Sequence, residues 1–160
     1  MKCAETTLIE PPAAAPPRKQ RAQPQPQPQP QKSVITLPTG LLGFEKVKHY
    51  TLLGCAEEAP FLWLQMVEDP NLAFLVISPS AVLDSYHPDI SEEEVAFLDL
   101  TDPKDALVFN IVTVHPDGKA TVNLKGPVVV NRQTLIGKQI VPLNVGNYSL
   151  QHPVTAGPAT

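Results

Sequence analysis

The chain has 160 residues and a formal net charge of −4, which bounds it to one domain with a real hydrophobic core. In residues 1–31, Lys2, Arg18, Lys19 and Arg21 oppose Glu5 and Glu10, whereas residues 32–160 carry 8 basic and 14 acidic side chains, a net of −6. A folded part this acidic argues against direct nucleic-acid binding, which needs Lys and Arg on the phosphates, and suits protein partners, basic ones above all.

The first 31 residues hold eight of the 19 prolines and the run QPQPQPQPQ. Alternating Pro and Gln removes backbone donors and offers no apolar face, so a disordered, polyproline-like tail is expected over residues 1–31. Cys3 in this tail and Cys55 in the remainder have no metal-site spacing and read as free thiols of a reducing compartment. No apolar run approaches the ~20 residues that span a bilayer, and no secretory signal is legible, so a cytoplasmic protein without membrane association is expected.

SVITLP (33–38) reads as a short strand closed by Pro38. TGLLGFE (39–45) carries Gly40 and Gly43, which predict a turn with unusual backbone angles. KHYTLLG (48–54) is a second strand, and FLWLQMVED (61–69) a third, in which Phe61 and Trp63 are expected in the core, a binding hot spot being the alternative. EDPN (68–71) predicts a turn into LAFLVIS (72–78), making a hairpin. Ser91 and Glu94 match a capping box, which predicts one short helix ended by DLTDP (99–103). Three acids at its start, Glu92 to Glu94, complement the helix dipole, a docking patch being the alternative reading.

ALVFNIVTV (106–114) is apolar on both faces, as in a central or barrel strand. HPDGK (115–119) predicts a hairpin turn. In ATVNLKGPVVVN (120–131), Ala120, Val122 and Leu124 alternate with Thr121, Asn123 and Lys125. The Gly126-Pro127 pair then divides this stretch into two strand segments, because Pro127 cannot donate to a ladder. Asn131 ends the second segment, its side chain bonding local backbone. KQIVPL (138–143) is a last strand before a weakly patterned end, with residues 156–160 expected to be flexible. Many short strands and little helix predict an all-β or β-rich fold, a small antiparallel barrel, closed or partly closed, with one short helix, over residues 32–155.

No phosphate loop, nucleophile elbow or Cys/His metal motif is present, so no cofactor is expected. His87, His115 and His152 each precede a proline, a turn pattern. One alternative is an enzyme on a small barrel using a carboxylate and histidine pocket from Asp84, His87 or Glu92. Direct RNA binding through a barrel face is weaker, given the charge.

The segments ITLPTGLLGFE, PFLWLQMVEDPNLAFLVISP, IVTV, ATVNLKGPVVVN, GKQIVPLN and YSLQHPV occur here in order. Together they resemble the flagellar assembly factor FliW family, from about Val34 to Val154. The resemblance implies a small β-barrel binding protein without catalytic activity. It implies two partners: the translational regulator CsrA, whose repression of flagellin messenger RNA it relieves, and flagellin, which captures it. Family-matching positions that the strand phasing exposes are Glu45, Glu68, Asp69, Asn123 and Lys125, the expected protein-binding residues. Two departures stand out. The proline–glutamine tail takes the place of the family's first strand, which is either kept as TTLIE (6–10) behind a looped-out linker or missing, leaving one barrel edge open, and Gly126 stands where Ala is more usual.

Overall fold

The computed structural model of the chain describes residues 33–155. The proline–glutamine segment, Cys3, TTLIE and residues 156–160 lie outside the described residues. Four strands form a meander: β1 (Val34–Thr36), β2 (His49–Leu53), β3 (Phe61–Met66) and β4 (Ala73–Ile77). The long β5 (Ala106–Val114) pairs with β4 through Asn110 and Ile111 on one edge. Its other edge is shared: β6 (Ala120–Val122) lies on Val112–Val114 and β7 (Val128–Asn131) on Ala106–Phe109. β8 (Gly137–Gln139) extends β7, and β9 (His152–Pro153) extends β6. Every one of these pairings is antiparallel.

The sheet curls until β8 comes beside β1. One parallel bridge joins them, Thr36 to Ile136, with the Thr36 amide donating to the Leu135 carbonyl at 2.9 Å. Closure by a single bridge makes the architecture a partly closed barrel. It removes most of the exposed edge that an open sheet of short strands would present.

The strand bounds follow local chemistry. Pro38 and the Gly40 turn end β1. The turn after β3 is fixed by Asp69, whose side chain accepts from the Asn71 amide at 3.2 Å while its carbonyl accepts from Leu72 at 2.9 Å. β5 runs over the full apolar stretch and ends at the His115 turn, where the His115 amide donates to Lys119 at 2.8 Å and Gly118 takes φ +85°. The last strand is shorter than KQIVPL implies. The Ile140 amide still donates in register to the Pro127 carbonyl at 2.9 Å, but Pro127 has no N–H to return the bond and Pro142 has none to carry a ladder further. β9 has only two residues and no sequence pattern of its own.

Three apolar clusters pack against β5. Inside the curl, Phe109 joins Leu37, Tyr50, Leu64, Val76 and Val128, with Leu107 and Ile111 against them. Val112 joins Ile77, Tyr86, Val122 and Leu124 in a second cluster. The helix α1 (Glu92–Phe97) ends in a third, where Leu98, Val129 and Ile140 meet with Ala106 and Val108 packed on them. Each fully buried aliphatic or aromatic side chain here contributes about 1.5–3 kcal/mol. All four residues of β7 are buried, as a strand covered on both faces requires.

The capping box at α1 is half formed. The Ser91 hydroxyl accepts from the Glu94 amide at 3.3 Å. The Glu94 carboxylate does not return to the cap; it accepts from Lys138 Nζ on β8 at 2.9 Å, and that ammonium sits 5.0 Å from the Phe97 ring centroid. The helix is therefore stapled to the sheet by charge as well as by Leu98.

Candidate protein-binding surfaces

Three loops carry the expected binding residues. The first, residues 40–45, doubles back tightly. Gly40 and Gly43 take φ +68° and +89°, and a Cβ on Gly40 would stand 2.6 Å from the Glu45 Cα. Glu45 Oε1 accepts from the Gly43 amide at 2.9 Å. Bonds from the Gly43 and Glu45 amides hold this exposed carboxyl below the usual carboxylate range, with Lys48 adding attraction. Lys48 Nζ also donates to the Glu45 carbonyl. Phe44 is 41% exposed and packs edge-on against Phe74, centroids 5.0 Å apart, so it lies over the barrel rather than plugging it.

The second loop is the β3–β4 turn. Glu68 Oε1 lies 2.8 Å from His49 Nδ1, and this bond holds the Glu68 carboxyl below its usual range. The Val67 amide donates to the His49 carbonyl at 3.0 Å, which places the turn at the start of β2, the end from which the Glu45 loop departs. Glu68 and Asp69 are exposed, with Val67 and Leu72 exposed beside them.

The third loop lies inside ATVNLKGPVVVN. Five residues, 123–127, stand opposite only Asn110 and Ile111 of β5, because Val122 pairs with Val112 and Val128 with Phe109. The chain makes an excursion from the ladder, a large bulge. Its carbonyls are bound from within. Asn110 Nδ2 donates to the Asn123 carbonyl at 2.8 Å, Tyr86 Oη to Leu124 at 2.8 Å and Gln139 Nε2 to Gly126 at 3.1 Å. Asn123 Oδ1 accepts from the Lys125 amide at 2.9 Å. This corrects the outward placement of Asn123 and Lys125: both are half-buried, and Asn123 spends its side chain on the turn. Leu124 and Val122 face the core as expected.

Gln139 also joins two of these loops. Its Oε1 accepts from the Leu42 amide at 2.9 Å while its Nε2 holds Gly126. The Glu45 loop and the Lys125 excursion are thereby neighbours. Asn131, expected to bond local backbone, does so through Oδ1, which accepts from Gln133 at 2.8 Å and Thr134 at 3.3 Å. Its Nδ2 reaches further, to the carbonyls of Leu98 and Asp99 at the end of α1, at 2.9 and 3.1 Å.

Trp63 contradicts its expected core placement. On β3 the inward face is Leu62, Leu64 and Met66; Phe61, Trp63 and Gln65 point the other way. Trp63 is 37% exposed, and its indole N–H donates to Glu58 Oε2 at 2.9 Å. Alternation along β3 holds as the sequence predicts, but both of its faces are apolar, so alternation alone left open which one is inside. Cys55 is exposed and free. Asp84, His87 and Glu92 are exposed, and the His87 backbone is occupied by Tyr148 Oη, which donates to its carbonyl at 2.8 Å. Among the described residues no group of His, Cys, Asp or Glu is arranged to hold a metal, and no helix is long and apolar enough to cross a membrane.

The family model described as FliW protein matches residues 21–154. The flagellar assembly factor FliW of Natranaerobius thermophilus is 41% identical over 123 residues, covering 76% of this chain and 81% of its own. That of Bacillus subtilis is 36% identical over 124 residues, covering 77% and 86%. A crystal structure of the flagellar assembly factor FliW superposes with a TM-score of 0.70 at 31% identity, covering 79% of this chain and 88% of that one. The chain belongs to the FliW family of flagellar assembly factors, regulatory proteins rather than enzymes.

Proposed function

We propose that this protein acts in the cytoplasm by binding CsrA, so relieving repression of flagellin messenger RNA, and that cytoplasmic flagellin captures it in turn. Family membership carries the reading. Surface chemistry supports the CsrA half. The described residues hold 14 acidic against 7 basic side chains, and Glu45 and Glu68 are held ionised by local hydrogen bonds at one end of the sheet. A protein that binds RNA must itself present basic surface, which such an end would attract. The exposed Val67 and Leu72 beside Glu68 add apolar area to the same turn.

The test is co-purification of the full chain with CsrA and with flagellin, separately and together, at low and high salt. Capture of each partner is expected, with CsrA retention falling as salt rises. Failure to retain either partner overturns the reading. Salt-independent retention of CsrA removes the electrostatic part of it.

A further inference from the structure

The outer face of β2, β3 and β4 carries an apolar row that the fold covers only in part, leaving Trp63 exposed. Register places Leu53, Trp63 and Leu75 side by side across the three strands. Phe61 and Leu75 gain cover from the second cluster, whereas Trp63 belongs to no cluster and stays 37% exposed. What remains is a groove of about 230 Å³ lined by Glu57, Glu58, Phe61, Trp63 and Leu75. Its polar rim is entirely acidic. Glu58 is tied to the indole N–H at 2.9 Å, which sets the ring's orientation. The Glu57 carboxylate has no partner among the described residues, and no basic side chain lines the groove.

We propose that this groove is a second docking surface, and that its occupant is a peptide segment with one aliphatic anchor residue flanked by Lys or Arg. The volume is below that of ordinary small-molecule pockets and matches an anchored side chain. Trp63 has the position of a binding hot spot: a large aromatic in a depression with its polar atom already satisfied. The rim selects the sign of the partner's charge. A second copy of this chain is a poor occupant, because a two-fold contact would bring Glu57 and Glu58 against their own counterparts. The surface is separate from the Glu68 turn, which follows the other end of β3. It therefore goes beyond the proposed binding loops.

Trp63 is the only tryptophan in the chain, so the groove carries its own reporter. The experiment titrates the full chain with synthetic peptides that share one leucine anchor and differ only in flanks of lysine, glutamate or serine, following tryptophan fluorescence. A saturable change is expected with the lysine peptide alone. In Glu57→Lys/Glu58→Lys its affinity should fall about tenfold or more. In Glu92→Lys/Glu93→Lys, the same charge change at α1, it should stay within about twofold. The proposal is overturned by no saturable response, by an equal response to the glutamate peptide, or by equal weakening in both variants. A fluorescence change that depends on protein concentration alone assigns the groove to a second copy, and overturns it also.

Discussion

Asn110 Nδ2 donates to the Asn123 carbonyl at 2.8 Å, a bond from the middle of β5 into the excursion that separates β6 from β7. Asn110 is fully buried, and the same nitrogen lies 3.3 Å from Tyr86 Oη, itself bonded to Leu124. One side chain thus holds the bulge in the position where Leu124 can fill the second cluster. Asn110→Ala leaves the Asn123 carbonyl without its donor and should destabilise the protein by about 1–3 kcal/mol. Equilibrium urea denaturation reads this directly; a wild-type midpoint would remove Asn110 from the support of the bulge.

Asn131 has the same kind of duty at the other end of the stretch. Its amide closes the Gln133–Thr134 turn and binds two carbonyls at the end of α1. At 3% exposure, no water replaces these partners cheaply. Asn131→Ala should cost about 3 kcal/mol. Hydrogen exchange of the α1 amides should also accelerate more than in Asn110→Ala. Equal exchange at α1 in both variants would show that the Nδ2 contacts do not hold the helix.

Gly126 gives a prediction through a neighbour. A Cβ added there would lie 2.9 Å from Gln139 Nε2 and 3.2 Å from Asn123 Nδ2, both ends of side chains that can swing. Gly126→Ala should displace the Gln139 amide, break its bond to the Gly126 carbonyl and cost about 1 kcal/mol. In a Gln139→Ala background the same substitution should be nearly neutral. A double-mutant cycle with no coupling between the two sites contradicts this account.

Glu68 titrates below an ordinary carboxylate because His49 bonds it. Its folded pKa is depressed, so its contribution to stability is present above the unfolded carboxyl pKa and is lost as pH falls through the folded value. His49→Ala should raise the Glu68 midpoint toward the ordinary value of 4.5. Carboxyl-carbon NMR titration checks it, and an unmoved midpoint would place the cause elsewhere.

Glu68→Lys with Asp69→Lys should weaken the proposed CsrA binding about tenfold, while losing the His49 bond and the Asp69 contact to the Asn71 amide lowers the melting temperature only slightly, since both side chains are exposed. Isothermal titration calorimetry alongside a melting curve separates the two effects. Wild-type affinity would take this turn out of the interface.

The strands were legible where side chains alternate or where an apolar run is long, as in β3, β4 and β5. The Gly40 and Gly118 turns were legible because the left-handed backbone they need favours glycine. β9 was not, since two residues placed by backbone bonds to β6 leave no pattern. The excursion was half legible. Gly126-Pro127 marked a break, but the donors that hold it, Asn110, Tyr86 and Gln139, come from 13 to 38 residues away. Glu45, Glu68 and Asp69 were singled out from the family resemblance and the strand phasing, and the structure does leave all three exposed in turns. The Trp63 groove was passed over in favour of a core reading because both faces of β3 are apolar, and only the packing of Ile35, Phe109, Val128 and Val130 on the inner side decides which is core.

β5 touches every apolar cluster and pairs on both edges. Its central amides can therefore exchange with solvent only when all three clusters open together. They set the slowest clock in the molecule, and the lifetime they record is that of the whole fold. The exposed turns that carry Glu45 and Glu68 can loosen and re-form many times within that interval, because neither residue belongs to those clusters.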